Sequence, residues 1–187
     1  MNEQDAVAIL KKDGGVGVLA TDTLYGIVGS ALHREVVARI YTLRKRDLNK
    51  PMIILISDIT DVLKFDVVLS AADKKILNKV WPNKISVILD CGSSKFEYLH
   101  RGTQTLAFRL PADKNLRALL KETGPLVAPS ANTQGEPPAK TISEAKDYFG
   151  NNVDFYLDSG VVDSEPSTVV SIENGKLKII RAGAVKL

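Results

Sequence analysis

Apolar residues recur along this chain at two spacings. Continuous runs at Val16–Ala20, Met52–Ile56, Ile85–Leu89 and Leu126–Ala128 have the length of buried strands. Gly26–Ala31 is a further strand of small residues, where another backbone can approach closely. Helical spacing instead joins Val36, Val37, Ile40, Tyr41 and Leu43, predicting a helix over Arg34–Leu43. Ser70-Ala-Ala-Asp73 and Thr141-Ile-Ser-Glu144 are capping boxes that open helices to Val80 and Phe149, the second ended by Gly150. A short helix over Asp5–Lys12 is stopped by Asp13-Gly14-Gly15. Another over Asn115–Lys121 turns Leu116, Leu119 and Leu120 inward and ends before Gly124-Pro125.

The remaining strands are Thr105–Leu110, Phe155–Leu157, Ser167–Ile172 and Leu177–Arg181, the last two joined by a hairpin turn at Glu173-Asn174-Gly175. The irregular interleaving and the hairpin predict one α/β domain over residues 1–187, with a mixed parallel and antiparallel sheet and helices around it. Residues 57–69, 91–103, 129–140 and 158–166 are the longer loops, where function concentrates.

Composition narrows the chemistry. With 44% hydrophobic and 25% charged residues the chain is neither disordered nor fibrous, and no apolar run is long enough to cross a bilayer. The acidic start, Met1 to Asp5, lacks the layout of a signal peptide, so a cytoplasmic location is expected, without a membrane partner. Cys91 is the single cysteine and His33 and His100 the only histidines, which argues against a metal site built from protein side chains. A net charge of +3 permits contact with nucleotides without suggesting a protein that coats nucleic acid.

Chemistry-bearing residues gather at strand ends. Thr21-Asp22-Thr23 follows the first strand, and four cations, Arg44, Lys45, Arg46 and Lys50, fall within seven residues. Hydroxyls held at strand ends beside Arg and Lys suit a small anionic ligand. On the strand from Thr105, Thr105, Ala107 and Arg109 share one face, and the loop from Pro129 to Gly135 carries Ser130 and Asn132. Walker loops, G-x-G-x-x-G and a Ser-His-Asp set are absent from the sequence.

In this order, Thr21-Asp-Thr-Leu-Tyr-Gly26, the Arg46 cluster, Ala107-Phe-Arg109-Leu-Pro111, Ser130-Ala-Asn132, Pro166-Ser-Thr168 and Arg181-Ala-Gly183 resemble the YrdC/Sua5 family of threonylcarbamoyl-AMP synthases, over about Val16 to Gly183. The chain looks like the short form, without the longer members' C-terminal domain. The resemblance implies a twisted mixed sheet around a deep basic cavity with ATP and L-threonine side by side. It implies threonylcarbamoyl-adenylate and pyrophosphate made from threonine, bicarbonate or carbon dioxide, and ATP, with Mg2+ carried by ATP and no tightly held protein metal. The product would pass to partner proteins that modify an adenosine beside the tRNA anticodon, with weak tRNA binding by this chain a further expectation.

By motif position, Thr23, Arg109, Ser130 and Ser167 would line the threonine pocket. Arg46, Lys50, Thr105, Asn132 and Arg181 would face the nucleotide, with Thr141 or Lys140 completing that side. Arg44, Arg46, Ser130 and Asn132 form the implied catalytic set. Where the family reads Lys-x-Arg followed by Pro, this chain has Arg44-Lys45-Arg46-Asp47, so either Arg44 or Lys45 fills the lysine's place. The family's Trp-Pro-Gly-Pro run reads Trp81-Pro82-Asn83-Lys84, with Trp81 a packing residue. The alternative expectation is an RNA- or nucleotide-binding relative that keeps the cavity without the activity.

Overall fold

A computed structural model describes residues 1–12 and 14–187; the helix stop read at Asp13 lies outside them. Helix α1 (Glu3–Leu10) starts on a capping box made by Asn2 and Asp5. It leads into the antiparallel strands β1 (Val16–Ala20) and β2 (Tyr25–Ser30), then α2 (Arg34–Leu43) and β3 (Ile53–Leu55). Next come α3 (Ala71–Val80), capped by Ser70 and Asp73 as its sequence predicts, and β4 (Ile85–Asp90). After α4 (Glu97–His100) follow β5 (Thr105–Arg109), α5 (Lys114–Thr123) and β6 (Leu126–Val127). The chain ends with α6 (Ile142–Phe149), β7 (Phe155–Tyr156), β8 (Thr168–Glu173) and β9 (Lys176–Arg181). Asn174 and Gly175, at φ of 52° and 71°, form the β8–β9 turn.

Two expected loops carry local structure. Residues 57–69 contain a 3-10 segment, Ile59–Phe65, and residues 91–103 contain another, Ser94–Phe96, running into α4. Asp61 builds the first: its Oδ2 accepts from Ser57 N at 2.9 Å, Ser57 Oγ at 2.8 Å and Asp58 N at 3.1 Å. These bonds tie the segment to the end of β3, and Val62 and Phe65 then drop into the core.

Among the described residues nine strands form one sheet in the order β7-β1-β2-β6-β3-β5-β4-β8-β9. The pairs β1–β7, β3–β5 and β4–β8 are parallel and the other five antiparallel, so the sheet is mixed, as expected. Strand alternation divides the sheet into two faces. Val18, Ile27, Ile54, Val87, Phe108, Val127 and Val170 join the main core with the inward residues of α2, α3, α4 and α6. On the other face Leu19, Val28, Leu55 and Leu126 pack under α1 and α5 through Val7, Leu10, Leu116 and Leu120. Those two helices cover part of the β1–β2–β6–β3 side of that face, and the cavity lies over the uncovered remainder, from the ends of β2, β6 and β3 to β5, β4 and β8.

Candidate active site

Ile53, Ile88, Ala107, Ala128 and Val169, from five different strands or their ends, face a cavity of about 400 Å³, within the range of small-molecule sites. Its polar lining is Thr21, Thr23, Thr103, Thr105, Ser130 and Ser167 together with Arg44, Arg46, Arg109 and Arg181. The small Ala107 between Thr105 and Arg109 leaves room above the sheet for the longer side chains.

The turn between β1 and β2 is built by Thr21. Its Oγ1 donates to Leu24 O at 2.8 Å and accepts from the backbone N–H groups of Thr23 and Leu24, both at 3.2 Å. This brings Thr23, 4% exposed, to the cavity wall with its Oγ1 3.1 Å from that of Thr21. Asp22, in the same turn, forms a buried ion pair across the sheet, its Oδ1 2.9 Å from Arg109 Nη2, while Oδ2 accepts from Ala112 N at 3.3 Å. Burial pushes the Arg109 guanidinium below its ordinary pKa and Asp22 opposes that shift.

Arg44 terminates α2 and turns inward. Its Nε donates to Asn132 O at 3.0 Å, and Nη2 donates to Asn132 Oδ1 at 2.7 Å and Ser130 Oγ at 3.2 Å. Ser130 Oγ in turn donates to Asn132 Oδ1 at 2.7 Å. Asn132 Nδ2 is spent on Thr133 O at 3.1 Å and Glu136 O at 2.6 Å. Burial first, and Arg46 second, bring Arg44 down to about 10. Lys45 has φ of 48° and its side chain is exposed, so of the two candidates for the family's lysine position it is Arg44 that reaches the cavity.

Arg46 is held by carbonyls, its Nε donating to Lys50 O and its Nη2 to Pro51 O, each at 2.9 Å. Arg181 Nη2 donates to Ser167 O at 2.7 Å, and Ser167 Oγ lies 2.9 Å from Ser86 Oγ beneath it. The close contact of the last two motifs depends on Gly183, where a Cβ would overlap Pro166 O and the Ser167 carbonyl. A one-residue bulge opposite Val169 and Val170 sets Arg181 against Val169, so that both line the cavity. Burial, with Arg46 as the second cause, lowers Arg181 as well.

Eight of the residues singled out by sequence therefore meet: Thr23, Arg44, Arg46, Thr105, Arg109, Ser130, Ser167 and Arg181. Asn132, Lys50, Lys140 and Thr141 do not line the cavity. Asn132 lies behind Arg44 and Ser130 and bonds to both. Lys50 is exposed and serves Arg46 through its backbone carbonyl. Thr141 is the N-cap of α6, its Oγ1 accepting from Glu144 N at 3.2 Å, and Lys140 pairs with Asp163 at 2.9 Å. Sequence reasoning assigned no role to Asp22 or Thr21, although both stand in the quoted motif. The available signal was the one carboxylate in a hydroxyl turn, which a buried Arg requires as a counter-charge. It also missed Ser86, which reads as an ordinary strand residue.

Arg44 Nη1 and Arg109 Nε are buried without a hydrogen-bond partner in the protein. Leaving such donors unsatisfied costs about 1–3 kcal/mol each, more when charged, so the two guanidinium groups are held in place at a cost to the fold. Four arginines and six hydroxyls on the open face of a mixed sheet define an α/β protein with a basic cavity of the size and charge that suit polyanionic small molecules.

Comparison with known proteins assigns the chain further. The Sua5/YciO/YrdC family, described as "Telomere recombination", matches residues 9–183, and the chain belongs to it. A Methanocaldococcus jannaschii protein provisionally named threonylcarbamoyl-AMP synthase is 30% identical over 100% of this chain and 91% of its own length. The threonylcarbamoyl-AMP synthase of Bacillus subtilis is 29% identical over 95% of this chain and 52% of that protein. The crystal structure of P. abyssi Sua5 complexed with L-threonine superposes with a TM-score of 0.86 at 22% identity, covering 98% of this chain and 55% of that one. The chain thus spans about half the length of these last two proteins.

Proposed function

We propose that this chain is a threonylcarbamoyl-AMP synthase, an ATP-using nucleotidyltransferase that supplies the tRNA threonylcarbamoyladenosine pathway. The observation that carries the reading is the convergence of four arginines, Arg44, Arg46, Arg109 and Arg181, with Thr23, Ser130 and Ser167 on one cavity. Arg44 stands on Ser130 and Asn132 and Arg109 on Asp22, and two separately supported cations suit two anionic substrates held together.

On this reading Arg109, set by Asp22, takes the carboxylate of L-threonine, and Thr23, Ser130 and Ser167 bond to its polar groups. Arg46, Arg44 and Arg181 face the triphosphate with Thr105, and the apolar wall of Ile88, Ala107 and Val169 suits the adenine ring. Asn132 acts through Arg44 and Ser130, and Lys50 through the Arg46 anchor. The amine of threonine bonds to the carbon of CO2, losing a proton, to give a carbamate. A carbamate oxygen then bonds to the α-phosphorus of ATP as the bond to the bridging oxygen breaks and pyrophosphate leaves. Arginines stabilise the charge gathered in that transition state, and no protein nucleophile is required. Mg2+ enters with ATP and supplies further charge neutralisation at the phosphates. The product feeds the transferase machinery acting on tRNA, weak tRNA contact and a cytoplasmic location being part of the same proposal. No helix among the described residues is long and apolar enough to cross a membrane.

The test is to incubate the protein with ATP, Mg2+, labelled bicarbonate and each amino acid in turn. Pyrophosphate and a labelled adenylate are expected with threonine alone. ATP binding without product would instead favour the non-catalytic relative.

A further inference from the structure

Arg46 is the cavity arginine held by an exposed segment that follows it in the chain. Its guanidinium is anchored by the carbonyls of Lys50 and Pro51, and residues 47–50 are exposed throughout. The segment is tied down at two points: Asp47 N donates to Gln134 Oε1 at 2.9 Å, and Tyr41, on the inward face of α2 and 2% exposed, donates its hydroxyl to the same Lys50 O at 3.0 Å. Lys50 O thus receives one bond from Tyr41 and one from Arg46, and Arg46 N also donates to Tyr41 O at 3.0 Å.

Tyr41 is in turn clamped by Arg101, which caps α4, a helix packed against α2 on the same face of the sheet. The Arg101 guanidinium carbon lies 4.2 Å from the centroid of the Tyr41 ring, a stacking distance for a cation on an aromatic face. Arg101 sits between α4 and β5 in the left-handed region, at φ of 52°, followed by Gly102 at 85°. A non-glycine residue held there costs on the order of 1 kcal/mol, so the surroundings must favour it. The same turn delivers Thr103 to the cavity wall. Arg101 lines no part of the cavity, and its buried Nε has no hydrogen-bond partner, so the ring stack is its contact of note.

We propose that Arg101 is a positioning residue for the anion site: by stacking on Tyr41 it fixes the Tyr41 hydroxyl on Lys50 O, and so holds the carbonyl from which Arg46 is aimed at the polyphosphate. This rests on the functional reading above and extends it to a residue that touches neither substrate. It separates the two halves of the cavity, because the Arg101–Tyr41–Lys50–Arg46 relay has no member among the groups that hold Arg109.

The experiment is calorimetric titration of the intact protein with inorganic tripolyphosphate and, separately, with L-threonine, for the native chain, Arg101→Ala, Arg101→Lys, Tyr41→Phe and the double variant Arg101→Ala/Tyr41→Phe. Arg101→Ala and Tyr41→Phe are each expected to weaken tripolyphosphate about five- to tenfold while leaving threonine affinity unchanged. The double variant is expected to lose no more than the worse single one, since both act through one carbonyl. Arg101→Lys, which keeps a cation near the ring, should recover part of the loss. Unchanged tripolyphosphate affinity in Arg101→Ala, equal losses for both ligands, or additive losses in the double variant would each overturn the relay. If Arg101→Ala does not fold, Tyr41→Phe with native-like tripolyphosphate affinity overturns it equally. Failure of the native chain to bind tripolyphosphate at all would overturn the functional reading, and this proposal with it.

Discussion

Arg44 and Arg109 are both cavity arginines, but they are supported in different ways. Arg44 spends three donor contacts on the Ser130–Asn132 loop, whereas Arg109 leans on the carboxylate of Asp22. Arg44→Ala should therefore both remove a charge and loosen Ser130, lowering kcat/KM for adenylate formation at least about 100-fold. Arg44→Lys keeps the charge but cannot reach both oxygens of Asn132, and an intermediate loss is expected in the same pyrophosphate-release assay. Asp22→Asn tests the other side. Breaking one partner of a buried pair destabilises by about 3–5 kcal/mol, and thermal melts will read that. Assays normalised to folded protein should show KM for threonine raised about tenfold with KM for ATP unchanged. An unchanged threonine KM would detach Arg109 from that substrate. The sequence left Arg44 and Lys45 equivalent, because both lie at the C-terminal end of one helix. The left-handed backbone at Lys45, φ of 48°, sends the two side chains apart, and that is a property of how α2 terminates rather than of either residue.

Among elements, the strands and capped helices were readable where local chemistry decides them. Ser70 and Asp73 bond reciprocally at the start of α3, and Asn174-Gly175 closes β8 on β9, each from residues adjacent in sequence. The 3-10 segment at Ile59–Phe65 was missed although its support is local, an Asp58–Asp61 capping box with Asp61 accepting three donors, because its seven residues are too few to set a helical apolar period. The strand order was not readable either, because two-residue β6 joins β2 to β3 through pairings that leave little pattern. Glycines give the sharpest element-level tests. Gly17 of β1 faces the Phe155 ring of β7, where a Cβ would overlap it, so Gly17→Ala should cost about 1–3 kcal/mol in urea unfolding. Gly183→Ala acts on a different pair, forcing Arg181 and Ser167 apart. Its expected signature is a fall of about tenfold or more in activity at a temperature where the protein remains folded by circular dichroism.

For the molecule as a whole, stability at low pH turns on carboxylates held by donors. Burial alone would raise Asp61, but Lys64 and the Ser57 and Asp58 donors outweigh it and its pKa falls below the model-peptide value of 3.8. A carboxyl with a depressed folded pKa stabilises the protein above its unfolded value, and that contribution is lost as pH drops through the folded one. Urea midpoints should therefore fall between about pH 4 and pH 2. In Asp61→Asn the loss on acidification should be smaller, with a deficit of about 1–3 kcal/mol at pH 7 that narrows at pH 3. A deficit independent of pH would assign Asp61 a purely steric role.

The alternation that puts Thr105, Ala107 and Arg109 over the cavity puts Leu106 and Phe108 into the main core. Cavity lining and folding are thus written in alternate letters of the same five-residue word. Point substitutions can edit one message without the other, but a single inserted residue within β5 shifts the reading frame of both. It would turn the Arg109 guanidinium into the core and the Phe108 ring into the cavity. Change at this site is accordingly open to replacement and closed to insertion, with length variation confined to the turns that flank the strand.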